Sequence, residues 1–427
     1  MKEVKRYIIK NGIVVIPEEN FIGERDILIE GDIISLIGED LSSEDAQIID
    51  AKKRYVIPGI VDIHTHLRDP DGEEEDITSG TTACARGGVT SVCCMPNTNP
   101  CIDNPTIVKY IVLSSQKYSK VKVYPIGAMT LGREGKVLAP YDKMKEAGIV
   151  AISDDGNWVE DSRVMKSVLE LSSVYNLLPI SHCEDKRLSL DGVINEGIAS
   201  LKLGLPGIPT LSETTAVARD ILIAREIDSR IHIAHVSVKD SVEVIKKAKE
   251  LGVKVSAEVA PHHLILQEDD LLEGGRGLKV NPPLRRKEDR TALIEGLKDG
   301  AIDVIASDHA PRKTSGADLL NDPFGISSVE IMLPLTYTFL IKEGHLSFLE
   351  LVKKLSYNPS RLLGIDGGTI SVGKKADLVI VNTSIRETVR VDEFFSKGKN
   401  SPYDGWELFG WPVMTMVEGN IVYARDL

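Results

Sequence analysis

The chain has 427 residues, enough for a large core and more than a compact domain of ~250 residues needs, so a barrel with an accessory piece is expected. Charged residues at 27% and hydrophobic ones at 42% are ordinary for a soluble globular protein. With 51 basic against 64 acidic residues the net charge is −13, which argues against nucleic acid as the main partner, and no apolar run reaches membrane-spanning length.

At the N-terminus, MKEVKRYIIKNGIVVIPEENF has apolar segments broken by Lys10, Asn11 and Glu18, so no signal-peptide core forms and a cytoplasmic location is expected. Short β-like runs at Tyr7 to Pro17, Asp26 to Gly38 and Gln47 to Ile57, separated by polar turns containing Asn11-Gly12 and Gly31-Asp32, predict a small antiparallel sheet. The middle of the chain changes character. Apolar strand candidates begin at Val61, Val89, Lys122, Ile149, Leu178, Arg230, Lys254 and Asp303, and helical periodicity lies between several of them. It is clearest in Ser162 to Tyr175 and in Val242 to Leu251, where Gly252 acts as a stop. Eight strands alternating with helices predict a closed parallel (β/α)8 barrel of the TIM type. No Gly-x-Gly-x-x-Gly follows the first strand, which argues against an open doubly wound sheet. Towards the C-terminus, Ala376 to Val381 and Val413 to Tyr423 are β-like again, and Glu418-Gly419-Asn420 reads as a hairpin turn. These two β-rich ends predict an accessory β-sandwich built from residues 1–57 and 365–427, flanking a barrel at 58–364.

Barrel active sites lie at the C-terminal ends of the strands, and most of these strands finish in a reactive residue. The first gives His64 and His66, whose spacing puts both imidazoles on one side of a strand, with Arg68 continuing the period. The fourth gives Asp154 and Asp155, the fifth His182, the sixth His235 and the eighth Asp308. Taken singly, His182 or His235 is more often a structural histidine. Jointly with the His-x-His pair they indicate a metal site. Imidazoles and carboxylates without thiolate suit Zn2+, and the number of donors exceeds what one open tetrahedral ion needs, so two ions sharing a carboxylate are expected. Asp308 is the candidate for proton transfer. Cys84, Cys93, Cys94, Cys101 and Cys183 include no Cys-x-x-Cys pair and are expected to be buried free thiols.

Pro58 to Arg68, Met95-Pro96-Asn97-Thr98, Ser153-Asp154-Asp155-Gly156, Asn281-Pro282-Pro283-Leu284-Arg285 and Ser307-Asp308-His309-Ala310-Pro311 together resemble dihydroorotase of the amidohydrolase superfamily, in its longer bacterial and archaeal type. The resemblance runs over essentially the whole chain. It implies reversible cyclisation of N-carbamoyl-L-aspartate to L-dihydroorotate and water, a step of pyrimidine biosynthesis. It further implies that His64 and His66 hold one zinc, His182 and His235 the other, and that Asp308 is both ligand and proton carrier. By spacing alone Asp154 and Asp155 are equally eligible as the bridge, and the resemblance favours Asp155. Many relatives use a carboxylated lysine there, and Ile149 to Gly156 contains none.

For the substrate, the resemblance implies that Arg68 and Asn97, with the His66 to Arg68 backbone, hold the free carboxylate, and that Asn281 and Phe324-Gly325 contact the ring amide. Arg312 departs from the pattern, since the family usually has histidine after Ala-Pro, although an arginine can still meet a carboxylate. Pro311 to Gly325 reads as a mobile loop over the barrel mouth, and His262 and His263 are expected to serve outside direct metal contact. A homodimer, and association with aspartate transcarbamoylase, are the expected assemblies. The competing readings are an allantoinase or hydantoinase, and a non-catalytic dihydroorotase-like scaffold.

Overall fold

The computed structural model describes residues 5–274, 277–313 and 318–425. Five strands precede the barrel: β1 (Arg6–Ile16), β2 (Phe21–Glu30), β3 (Ile33–Gly38), β4 (Gln47–Asp50) and β5 (Tyr55–Pro58). β1 is continuous through Asn11-Gly12. That pair forms a bulge instead of the expected turn: the register against β2 slips between Ile9 and Gly12, and Asn11 takes φ 57°. Gly31-Asp32 does turn, and it splits the run expected from Asp26 to Gly38 into two strands. The sheet is mixed, where an antiparallel one was expected. β1 lies antiparallel to β2 but parallel to both β4 and β5, because residues 39–46 carry the chain from the β3 edge to the far side of β1.

The next strands build the barrel. They are β6 (Ile60–Thr65), β7 (Val89–Cys94), β8 (Lys122–Gly127), β9 (Ala151–Ser153) and β10 (Leu178–Ser181). After a short pair, β11 (Ile194–Asn195) with β12 (Gly207–Ile208), come β13 (Ile231–Ile233), β14 (Val255–Val259) and β15 (Val304–Ile305). Neighbouring barrel strands are parallel, and the chain beyond β15 meets β6 through a Thr65–His309 bridge and a 2.9 Å bond from the His66 N–H to the His309 carbonyl. All eight expected barrel strands are present.

Apart from the start of β8, every residue of these strands is buried, which is why they read as apolar runs without alternation. Ile63, Cys93, Ile180, Ala234 and Val304 fill the interior, while Val92, Ile152, Ile233 and Val259 pack outward against the helices. The helix Ser162–Val174 starts where the Asp161 side chain accepts the backbone N–H groups of Arg163 and Val164. It buries Met165, Val168, Leu169 and Ser172, one stripe at helical spacing.

The C-terminal strands are β16 (Leu378–Asn382), β17 (Glu387–Thr388), β18 (Glu407–Leu408), β19 (Trp411–Val417) and β20 (Asn420–Ala424). β16 pairs with β5 and with β19, and so joins both ends of the chain into one curled eight-stranded sheet. The β19–β20 turn passes through Glu418 at φ 46° and Gly419 at φ 72°, the conformation that matches strand twist in tight hairpins. Ile9, Val14, Ile27, Val56, Leu378 and Met414 give this sheet a core separate from the barrel's.

Candidate metal centre

Asp155 stands at the centre of the barrel mouth with four histidines around it. His64, His66 and Asp155 bring ligand atoms within 4.8 Å of one another, and so do Asp155, His182 and His235. Asp155 Oδ1 lies 3.3 Å from His64 Nε2, 3.6 Å from His182 Nδ1 and 3.6 Å from His235 Nε2, while Oδ2 lies 3.7 Å from His66 Nε2. Asp308 Oδ1 closes the first group at 3.7 Å from His64 Nε2 and 3.4 Å from His66 Nε2. The residues read from the sequence as metal ligands therefore converge. Asp154 does not join them. Its Oδ1 accepts the backbone N–H groups of Met129 at 2.8 Å and Thr130 at 3.0 Å, and its other oxygen takes the Thr130 hydroxyl.

Strand alternation is not what delivers these side chains. The pairing of β6 with β7 slips between Ile60 and Val61 and again between Asp62 and Thr65, and β6 ends at Thr65, before His66. Arg68 likewise stands beyond the strand, in a loop where it takes φ 54°, so its place beside the histidines comes from a sharp backbone turn and not from the strand period. His235 at φ 31° and Asp308 at φ 45° turn sharply off their strands in the same way. Backbone strain of this kind persists only where the surrounding structure holds it.

The far sides of His64, His66 and His182 are also held. His64 Nδ1 meets Glu258 Oε1 at 2.5 Å, and Glu258 Oε2 meets His232 Nε2 at 3.3 Å. His66 Nδ1 meets Asn97 Oδ1 at 2.9 Å, and Asn97 Nδ2 donates to Asp155 Oδ2 at 3.2 Å. His182 Nε2 meets Glu184 Oε2 at 3.1 Å, which also accepts Asn281 Nδ2 at 2.9 Å. Partners of this kind fix the ring orientation of a ligating histidine and raise its basicity. Glu258 and Glu184 were not expected from the sequence. The one available signal was position: Glu184 lies two residues after His182, and Glu258 sits near the end of an otherwise apolar barrel strand.

The charges in this cage call for a cation. Burial opposes ionisation of the Asp155 carboxyl, yet His64, His182 and His235 hold it well below the usual carboxylate range. Burial also works against protonated His64, but Glu258 and Asp155 outweigh it and raise its pKa well above normal. For His182 the same contest, with Asp155 and Glu184 against burial, ends at a pKa of about 9. His64 Nε2 and His235 Nδ1 are buried without a hydrogen-bond partner among the described residues. The orphaned His64 Nε2, set between Asp155 and Asp308, fits divalent metal, and the donor set of imidazoles and carboxylates fits zinc. The cysteines stand outside the cage. Cys84, Cys93, Cys94 and Cys183 are buried free thiols, Cys101 is partly buried, and burial pushes the Cys94 thiol up to about 12.

A cavity of about 320 Å³ opens over the cage. Arg68, Asn97, Asn281, Arg312, Phe324 and Gly325, the residues read as substrate-binding, all line it, as does His66. Arg68 is buried, and burial followed by the nearby Arg312 brings its pKa down to about 10. Its Nε has no hydrogen-bond partner among the described residues, so an anionic group in the cavity would complete it. Arg312 is differently placed. Its Nη1 lies 2.6 Å from Glu74 Oε2 and its Nε donates to the Phe324 carbonyl at 3.0 Å, so this guanidinium already ties the two ends of its own loop. Of the loop read as mobile, residues 314–317 lie outside the described residues. His263 Nε2 reaches the Pro282 carbonyl at 2.9 Å, away from the cage, whereas His262 Nε2 approaches Asp308 Oδ2 at 3.9 Å.

A family model described as the amidohydrolase family matches residues 55–422. The dihydroorotase of Caldanaerobacter subterraneus subsp. tengcongensis is 48% identical over 426 residues, covering 99% of this chain and 98% of that protein. The dihydroorotase of Acetivibrio thermocellus is also 48% identical over 426 residues, with 98% and 99% covered. Among solved structures, an L-hydantoinase (dihydropyrimidinase) from Arthrobacter aurescens is similar at a TM-score of 0.88 and 27% identity, covering 100% of this chain and 97% of its own.

Proposed function

The chain belongs to the amidohydrolase family, within its dihydroorotases, and on that premise we propose that its barrel mouth interconverts N-carbamoyl-L-aspartate and L-dihydroorotate with two zinc ions bound. It is a hydrolase acting on a cyclic amide. The observation that carries the reading is the pair of buried histidine groups sharing Asp155, beneath a cavity lined by Arg68, whose Nε has no hydrogen-bond partner among the described residues.

In this reading His64, His66 and Asp308 would hold one ion and His182 and His235 the other, with Asp155 within reach of both groups. Bound there, zinc supplies Lewis acidity toward the amide carbonyl and brings the pKa of water toward ~7. Arg68 and Asn97 hold the substrate carboxylate. Asn281 and the Phe324-Gly325 backbone orient the ring amide. In ring opening, the oxygen of water bonds to the ring carbonyl carbon, the carbon–nitrogen bond breaks, and Asp308 takes the water proton and delivers it to the departing nitrogen. Burial opposes ionisation of its carboxyl, while His66, His64 and His235 around it hold it below the usual carboxylate range. Ring closure reverses each transfer and releases water.

Residues 58–364 are read as the catalytic unit and the terminal sheet as its support. The site of action is read as the cytoplasm. A homodimer, and association with aspartate transcarbamoylase, are the assemblies read for it. No helix among the described residues is long and apolar enough to cross a membrane.

A spectrophotometric assay of dihydroorotate ring opening tests the activity. Turnover is expected to vanish with chelator and return with zinc. Equal turnover by the stripped chain, or turnover of hydantoin or allantoin in preference to dihydroorotate, overturns the reading.

A further inference from the structure

Asn400 lies in the C-terminal segment between β17 and β18, outside the barrel strands, yet its side chain is buried at the barrel mouth. Its Nδ2 donates to the carbonyls of Ala310 at 3.1 Å and Gly325 at 2.8 Å. Its Oδ1 accepts the Arg312 N–H at 2.8 Å and the Ser327 hydroxyl at 2.8 Å. One amide thus satisfies its two N–H donors and both oxygen lone pairs on the two ends of a single loop. The Asn400 carbonyl adds a third tie at the far end by accepting the Ser327 N–H at 3.0 Å.

The loop base is closed tightly enough to leave no room for side chains. Ala310 N–H donates to the Ile326 carbonyl and Gly325 N–H to the Lys279 carbonyl, both at 2.9 Å. Gly325 adopts φ 143°, and a Cβ there would stand 2.3 Å from the Ala310 carbonyl oxygen. Gly398, two residues before Asn400, lets its segment approach in the same way: a Cβ there would lie 2.6 Å from the Arg312 nitrogen. Arg312, Phe324 and Gly325 line the cavity from this base, and Asp308 is two residues upstream of Ala310.

We infer that Asn400 is a positioning residue of the site: it clasps the two ends of the 311–325 loop, and so sets where Arg312, Phe324 and Gly325 stand over the cavity. Its effect on dihydroorotate rests on the proposed function, whereas the clasp itself is a property of the free chain. Asn400→Asp keeps the shape but replaces the two N–H donors with an oxygen facing two carbonyls. Asn400→Ala removes the clasp.

With both variants, KM for dihydroorotate is expected to rise about tenfold, the scale set by leaving buried polar groups unpaired, with kcat within about threefold of the parent. Zinc content per chain stays as in the parent. Hydrogen exchange at the Ala310 and Gly325 amides accelerates about tenfold, although neither donates to Asn400 and simple loss of one side chain would leave both protected. Unchanged KM with unchanged exchange overturns the inference, and so does a KM increase that comes with lost zinc and a general fall in Tm. If Asn400→Ala does not fold, Asn400→Asp decides. If the parent chain does not open dihydroorotate, the functional reading fails, and exchange at these two amides alone supports or overturns the clasp.

Discussion

The two ends of the barrel bury charge in opposite ways. At the floor, where the strands begin, charged side chains meet protein partners: Lys122 pairs with Asp377, Lys249 Nζ lies 2.6 Å from Asp303 Oδ2, and buried Lys354 Nζ donates to the Ile302 carbonyl at 2.8 Å. At the mouth, Asp155 and Asp308 are crowded by histidines at 3.3–3.7 Å, and His64 Nε2 and Arg68 Nε have no hydrogen-bond partner among the described residues. These three floor lysines are met by the chain itself. Under the proposed function ions and an anionic ligand would complete the mouth, since a polar group left unpaired in low dielectric is costly.

Breaking the chemistry at the mouth gives the largest effect. Asp308→Asn removes the proton acceptor while keeping its shape, so kcat is expected to fall by roughly 10²–10⁴ with zinc content unchanged. Steady-state kinetics and metal analysis check it, and parental kcat would remove Asp308 from the proposed role. Next comes the cation itself. If ions complete the mouth, stripping them must destabilise the whole chain, by about 4 kcal/mol where free zinc stands 1,000-fold above its Kd. Thermal unfolding with and without chelator measures this, and an unchanged Tm would erase the contrast between the two ends.

Glu258 sharpens the comparison, because its only ring partners among the described residues are His64 and His232. Glu258→Gln is expected to weaken zinc affinity about 10–100-fold, read by competition with a coloured chelator. Equal affinity would mean that the ring is oriented without it.

The smallest effect belongs to the floor. Burial brings the Lys354 pKa down to about 8, with Asp303 opposing, from an ordinary 10.5. The unfolded chain therefore binds this proton more tightly than the fold does. The destabilisation is full below about pH 8 and is relieved as the pH rises toward 10.5. Relative to Lys354→Met, the parent is expected to gain on the order of 1 kcal/mol between pH 7 and pH 9 in urea unfolding. A stability difference flat across that range would show that Lys354 is charged equally in both states.

Much of this was legible because a parallel strand buried on both faces must be apolar along its length, so a histidine or aspartate at its end stands out. Val-Asp-Ile-His, Ile-Ser-Asp-Asp and Ile-Ala-Ser-Asp-His announce themselves in that way. Glu258 did not, because a lone acid in Val-Ser-Ala-Glu-Val reads as the outward position of a half-exposed strand until the closed barrel turns it onto His64. Asn11-Gly12 misled for a related reason. Its left-handed conformation serves a tight turn and a bulge equally, and only the partner strand β2 distinguishes them.

By itself the sequence determined the barrel, the residues that reach its mouth and the family's chemistry, because burial patterns and ligand types are local properties of the chain. The tertiary structure showed by geometry what spacing left open between Asp155 and Asp154, and it alone assigned Glu258 and Glu184 to their histidines and tied the 311–325 loop to Asn400. Each of these depends on which way a backbone turns and on which distant segment arrives there. Those are matters of a few ångströms that residue type and spacing do not encode.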